Sequence, residues 1–290
     1  MQFMNDLMKK EIVALLNNYV QQYPSQKKAV DSLKGISEAT VISMRKDNWA
    51  NISDDMWRSI GNQVGYNKKG TWSIVETTSL QTFQLFYKDA KDYSNVYAIT
   101  APAGSGKSAS AQYLAQNTQN VYHLVCADYF NRKMFLSKLL SKMGKDDTGY
   151  NVSEMMDYVV ELLRKQDCPL IILDEADKLN DQVLYFFITL YNMLQGKCAI
   201  VLLATDFLEK RIIRGVKLNK KGYAEIYSRI GRKFLRIEAN TKKEVTLICQ
   251  ANGVTDVIAI TEIFNESDGD LRRVERAVHK HIKLQSKEVA

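Results

Sequence analysis

The chain has 290 residues, 46% apolar and 25% charged, with three prolines and a formal net charge of +7. This is ordinary globular usage in a chain long enough to bury a core without staples, and it excludes extended disorder. The charge is uneven: residues 207–236 hold ten Lys or Arg against two acids, a surplus of +8, which leaves the rest of the chain at −1. A concentrated basic block points to a polyanion partner more than a uniformly basic surface would.

Residues 1–70 read as all helix. Leu7, Val13, Leu16 and Val20 recur at helical spacing, and Pro24 ends that segment. Ser25 caps a short helix through Leu33, Gly35 breaks it, Ser37 caps the next, and Ser53 starts a fourth. Gly65 to Gly70 reads as a boundary. A lead-in helix over Ser79–Lys91 then reaches the apolar run 96–100, followed by strand-like runs at 121–125, 170–173, 199–204 and 234–237. Helical stretches separate the first four. Near-continuous apolar strands alternating with helices predict an α/β domain with a five-stranded parallel sheet covered on both faces. From about Ala239 onward the chain is helical again. The expected parts are 1–70, a helical N-terminal domain; 71–94, linker and lead-in helix; 95–238, the α/β core; and 239–290, a helical lid.

Cys126, Cys168, Cys198 and Cys249 form no C-x-x-C pair, so free thiols in a reducing compartment fit better than a zinc site. The first ten residues lack a signal-peptide core, and no apolar run approaches the roughly 20 residues needed to span a bilayer. A soluble, cytoplasmic protein without a membrane partner is expected.

The strongest motif is A-P-A-G-S-G-K-S, Ala101 to Ser108, between a predicted strand and a predicted helix. Gly104 and Gly106 let successive N–H groups face phosphate oxygens, and the following helix adds the positive end of its dipole. The expected phosphate cradle is Ala101, Pro102, Ala103, Gly104, Ser105, Gly106, Lys107, Ser108 and Ala109, with Ala101 standing where a first glycine is usual. Lys107 would reach the β- and γ-phosphates of ATP, and Ser108 would ligate Mg²⁺. In L-I-I-L-D-E, Leu170 to Glu175, four apolar residues place two acids at the end of a buried strand, where open α/β sheets put ligands. Asp174 is the expected Mg²⁺ partner, and Glu175 the group that polarises the attacking water, which favours hydrolysis over binding alone.

With these motifs the sequence resembles the AAA+ superfamily over roughly residues 95–285. The resemblance implies three further positions: a sensor at Thr205 or Asp206, an arginine finger given to a neighbouring subunit at Arg229 or else Arg232, and a lid arginine at Arg272, at G-x-x-R spacing from Gly269 and beside Arg273. A finger given in trans implies a homo-oligomer.

Ser25 to Ser43 reads as a helix-turn-helix. Ala29, Val30 and Leu33 would pack its first helix, Gly35 would make the turn, and Ile36 and Val41 would face inward. Trp49, Ile52, Met56, Trp57 and Ile60 would form the supporting core. Ser37, Glu38, Thr40 and Ser43 would meet a groove, and Arg45 and Lys46 phosphates. A helical interaction module that never touches DNA remains the alternative. In the basic block, Arg211, Arg214, Lys217, Lys220 and Lys221 are expected to contact DNA phosphates, and Arg132 and Lys133 form a second candidate patch.

The order and size of the parts resemble the ATP-dependent target-DNA activators of transposition, of the phage Mu B-protein type. That resemblance implies a filament of ATP-bound subunits on double-stranded DNA, recruitment and stimulation of a transposase, and a bacterial or phage-infected cell. A helicase loader and an ATP-switched transcription regulator are the alternatives.

Overall fold

The computed structural model describes residue 4, residues 6–66 and residues 72–288. Most of the Gly65–Gly70 boundary lies outside the described residues. The chain divides into two compact units, Met1–Trp72 with Leu140–Thr148, and Ser73–Leu139 with Gly149–Ala290. The segment 140–148 is therefore part of the helical unit, although it falls far inside the α/β-core sequence. Among the described residues, no helix is long and apolar enough to cross a membrane.

The first unit holds α1 (Asp6–Gln21), α2 (Gln26–Asp31), α3 (Glu38–Arg45) and α4 (Asp54–Val64). Ser25, Ser37 and Ser53 cap α2, α3 and α4 by accepting the N–H groups of Lys28, Thr40 and Met56. Each cap satisfies one of the four amides that a helix start leaves unpaired. The buried stripe of α1 is Ile12, Leu16 and Val20, with Val13 only partly buried. Steps of four residues keep one face inward, so the seam runs through Ile12 rather than Val13. Ala29, Val30, Leu33, Ile36, Val41, Trp57 and Ile60 join it in one core, whereas Trp49, Ile52 and Met56 pack at its margin. Trp49 meets Trp57 edge to face at 5.4 Å. A Cβ on Gly144 would lie 2.4 Å from the ring of Tyr23, so only a glycine lets segment 140–148 lie there.

The second unit begins with α5 (Thr78–Tyr93) and continues through β1 (Val96–Thr100), α6 (Lys107–Asn117), β2 (Val121–Val125), α7 (Arg132–Lys142), α8 (Val152–Arg164), β3 (Leu170–Asp174), α9 (Asp181–Leu194), β4 (Ala199–Ala204), α10 (Asp206–Lys217), α11 (Tyr223–Arg229) and β5 (Phe234–Arg236). The five strands form one parallel sheet in the order β2-β3-β4-β1-β5. Every residue of β3 and β4 is buried, as strands covered on both faces must be. Register aligns Thr100 with Ala204 and Val125 with Asp174, so the strand ends that carry the motifs are level. β1 and β3 are separated by β4, and the crevice at their carboxyl ends is where doubly wound sheets bind ligands.

The lid is α12 (Lys242–Ala251), α13 (Val257–Ser267) and α14 (Leu271–Glu288). Thr241 and Glu244 form a capping box at the start of α12. The buried Glu244 also accepts the N–H of Ser79, tying the lid to the start of α5. Burial opposes its charge, but these hydrogen bonds outweigh burial and hold its carboxyl below the usual range.

Candidate functional site

The loop after β1 is built to receive an anion. Ala101 extends the sheet by donating its N–H to the Ala204 carbonyl at 3.1 Å, and it stays out of the left-handed region. An alanine can therefore make the entry turn. Gly104 and Gly106 take φ of +74° and +92°, which L side chains rarely adopt. Gly106 starts α6 without any side-chain cap. The first amides of α6 thus face the loop with the positive end of the helix dipole behind them. Pro102, Ala103 and Ala109 are exposed at the rim, while the Ser105 hydroxyl is buried with no hydrogen-bond partner. An uncapped helix start and an orphaned buried hydroxyl in one glycine-rich loop fit a phosphate group.

Lys107 folds over this loop and donates to the carbonyls of Ala101 and Pro102, both at 2.7 Å. Burial pulls its ammonium below the ordinary lysine range, and nearby Arg272 adds to that; Asp174, Asp177 and Glu175 oppose it. One lysine thus feels the loop, the acids after β3 and the lid together.

Asp174 is fully buried at the end of β3. Burial would raise its carboxyl. The hydrogen bonds from His123 and Ser108, the charge of His123 and the N–H of Glu175 outweigh burial and hold it low. His123 Nε2 lies 3.1 Å away, and the Glu175 N–H donates at 3.0 Å. Ser108 and Asp174, named for one ion, are therefore bonded to each other. Among the described residues no cluster of three or more His, Cys, Asp or Glu could hold a metal. A divalent ion here would draw its remaining oxygens from phosphate and water, as Mg²⁺ commonly does.

Glu175 sits in the left-handed region at φ 56°, and its carboxylate meets Lys178 at 2.6 Å. Such a conformation costs roughly 1–3 kcal/mol and persists where surroundings impose it, often at functional sites. After the 3₁₀ turn Ala176–Lys178, the chain enters α9. Asp177 in that turn accepts the Thr205 hydroxyl at 2.9 Å. Of the two sensor candidates, Thr205 is thus linked to the acids after β3. Asp206 is exposed and pairs with Lys210 at 2.5 Å.

Arg211, expected to contact DNA phosphates, is bonded within the protein. Its guanidinium donates to the carbonyls of Asp177 (3.2 Å) and Leu179 (2.5 Å), to Asp181 (2.5 Å) and to the Tyr223 hydroxyl (3.0 Å). It is a bracket joining α10, α11 and the turn after Glu175, with four of its five N–H donors committed there. Arg214, Lys217, Lys220 and Lys221 remain exposed. Arg132 and Lys133 are exposed at the start of α7, with Arg132 over the Phe186 ring.

Arg229 lies along its own chain, bonded to Asn192, paired with Glu225 at 3.5 Å and stacked over Tyr191. Arg232 is exposed, and among the described residues no hydrogen bond or ion pair holds its guanidinium. Arg272 is exposed at the start of α14, near enough to Lys107 to affect its charge, and Arg273 follows it. Asp270 caps that helix through the N–H groups of Arg272 (2.9 Å) and Arg273 (3.4 Å). Its carboxyl lies where a side chain on Gly104 would stand, and the Leu271 N–H donates to the Gly104 carbonyl at 2.9 Å. The lid is therefore seated on the phosphate loop.

In the first unit the candidate DNA contacts are turned to other work. The Ser37 and Thr40 hydroxyls bond each other at 2.8 Å, and Arg45 donates to Asn17 at 2.7 Å and to Gln26. Lys46 is exposed.

His123, Asp177 and Asp270 were not singled out from the sequence. His123 had one local signal, a polar residue inside the apolar run V-Y-H-L-V, and Asp177 stands three residues after Asp174. Asp270 had none, because its neighbour Gly104 is far away in the chain.

Residues 88–212 match the family model described as the AAA domain. No curated protein matches the chain. Among solved structures, NtrX from Brucella abortus in complex with ATP is 12% identical with a TM-score of 0.49, over 84% of this chain and 59% of that one. The same protein with ADP is 11% identical with a TM-score of 0.44, over 85% and 56%. The chain thus spans less than two thirds of the length of these structures. The family match runs from within α5 to within α10, across both acid- and phosphate-facing loops.

Proposed function

We propose that the chain is an ATP-hydrolysing switch that assembles on double-stranded DNA and recruits and stimulates a transposase. The observation that carries the ATPase part is the convergence of Lys107, the Ser108–Asp174 bond and Glu175 at the ends of β1 and β3. The amides at the start of α6 would bind the β-phosphate, and the Lys107 ammonium would leave the Ala101 and Pro102 carbonyls for β- and γ-oxygens. Ser108 and Asp174 would hold Mg²⁺, which supplies charge neutralisation at those oxygens. Glu175, freed from Lys178, would orient a water and take its proton as the water oxygen bonds to the γ-phosphorus. The bond to the β-γ bridging oxygen then breaks, leaving ADP and phosphate. Thr205, positioned by Asp177, and Arg272 would offset charge on the γ-phosphoryl group.

The DNA and transposase part is supported by the surplus of +8 in residues 207–236 and by the order of helical unit, AAA core and lid. For assembly, the unpartnered guanidinium of Arg232 suits a finger given to a neighbour better than Arg229, which would first have to leave Asn192 and Tyr191. A γ-phosphate bridged by such a finger would tie assembly to ATP, and hydrolysis would release it.

Electron microscopy with random-sequence duplex tests the reading, comparing ATP with ADP and wild type with Lys107→Ala. DNA-coating filaments with ATP, absent with ADP and in the variant, are expected. Discrete rings, or assembly on single strands alone, would overturn it in favour of helicase loading.

A further inference from the structure

The basic block does not act as a unit, because helix geometry sorts it by face. Leu208, Ile212 and Gly215 of α10 are buried, and Arg211 is held on the same side by Asp181 and Tyr223. Lys210, Arg214 and Lys217 fall on the outward stripe at steps of four and three residues, or about 6 Å and about 4.5 Å along the axis. Facing them is Arg236 from β5, the edge strand. Asp206, Glu209, Lys210, Ile213, Arg214, Lys217 and Arg236 together line a groove of 680 Å³.

The lining shows what kind of ligand fits. Six of the seven side chains are charged, and Ile213 alone is apolar. Cationic side chains along one wall suit a polyanion. Lys210 pairs with Asp206, and Arg236 with Glu209, both at 2.5 Å. The first pair is exposed on both sides, so it is weak and exchanges readily with another anion, whereas Arg236 holds Glu209 through two parallel hydrogen bonds. Arg214 and Lys217 have no acid partner among the described residues. The groove therefore presents two uncommitted cations, Arg214 and Lys217, one exchangeable one, Lys210, and Arg236 held by Glu209.

We infer that this groove is a phosphate-backbone site for duplex DNA, with Arg214 and Lys217 as its standing contacts and Lys210 and Arg236 recruited from their ion pairs. The inference rests on the DNA reading above and narrows it: Lys210 and Arg236 enter the contact set, and Arg211 leaves it.

The test is fluorescence anisotropy of the full chain with ATP and Mg²⁺ on a labelled random-sequence duplex, titrated across salt. Each phosphate contact contributes about 0.9 to the slope of log affinity against log salt. Arg214→Gln/Lys217→Gln should flatten that slope by about 1.8, so that the affinity advantage of wild type shrinks about twelvefold over a fourfold rise in salt. Glu209→Gln, which frees Arg236, should tighten binding and steepen the slope by about 0.9, a gain that misfolding cannot produce. An unchanged slope in the double variant, with wild-type binding intact, would overturn the groove while leaving DNA binding standing. Absence of wild-type binding would overturn the DNA reading and the groove together. Loss of labelled polyglutamate binding in the double variant, with DNA affinity kept, would reassign the groove to an acidic polypeptide and overturn the inference.

Discussion

The phosphate loop and the amino-terminal helical unit were both read from short polar motifs, and they use their polar groups in opposite ways. Around the loop, polarity is held at a cost: Asp174 is charged while fully buried, Ser105 has an orphaned hydroxyl, and Glu175 takes a left-handed backbone. In the helical unit the polar groups named in the motif complete the fold: Ser37 caps α3, Thr40 bonds Ser37, and Arg45 bridges to Asn17 and Gln26, while the one buried unpartnered group there among the described residues is the Trp57 indole N–H, away from the motif. Folding alone does not reward the first arrangement, since buried charge and backbone strain each cost free energy. The second needs no ligand to explain it.

The largest effect that would sharpen the contrast is expected from Trp57→Ala. This fully buried side chain centres the helical unit, and its loss should cost about 3–5 kcal/mol in a denaturant melt. A loss under about 1 kcal/mol would mean that the apolar core does not hold this unit together.

Asp174→Asn comes next. Three donors, from His123, Ser108 and the Glu175 N–H, converge on the carboxylate, and an amide would set its own N–H₂ against one of them. We expect a loss of about 2 kcal/mol near neutral pH. Because the folded carboxyl is held low, its stabilisation is present above the unfolded value of about 3.9 and is lost as pH falls through the folded value. The wild-type melting temperature should therefore drop more steeply below about pH 4 than that of Asp174→Asn. Parallel acid limbs would show that Asp174 adds no such dependence.

The smallest effect, about 1 kcal/mol, is expected from Ser37→Ala, with most of it recovered by Ser37→Asp, which also caps. If both variants kept full stability while weakening DNA binding, the contrast would fail, and α3 would be a reading head after all.

Much of this was legible in the sequence for physical reasons. Strands buried on both faces must be apolar throughout, as β3 and β4 are, and β1, β2 and β4 begin and end where the apolar runs do. The phosphate loop is local, with spacing, turn and helix start in eight consecutive residues. Asp270 and His123 reach the site only through folding, one from the lid and one across β3. Arg211, expected to contact DNA phosphates, is bonded to Asp177, Leu179, Asp181 and Tyr223, and a run of charges hides the helix period that puts it there. It stands three residues after Leu208 and four before Gly215, which puts it on the inward side. Lys210 and Lys217 fall on the other side of that count, and Arg214, three residues on, stands exposed at its edge.

The seat of α14 on the phosphate loop has a mechanical consequence. Its 18 residues make a rod about 27 Å long, seated at its first turn by Asp270 and Leu271 against Gly104 and packed through buried Val274 and Val278 on the other lid helices, so that the lid moves with it. A tilt of about 5° at that end would sweep the far end through about 2 Å. The helix is a lever with its fulcrum on the glycine that shapes the phosphate cradle, so a displacement too small to notice at the loop becomes a side-chain-sized movement at the carboxyl-terminal end of the chain.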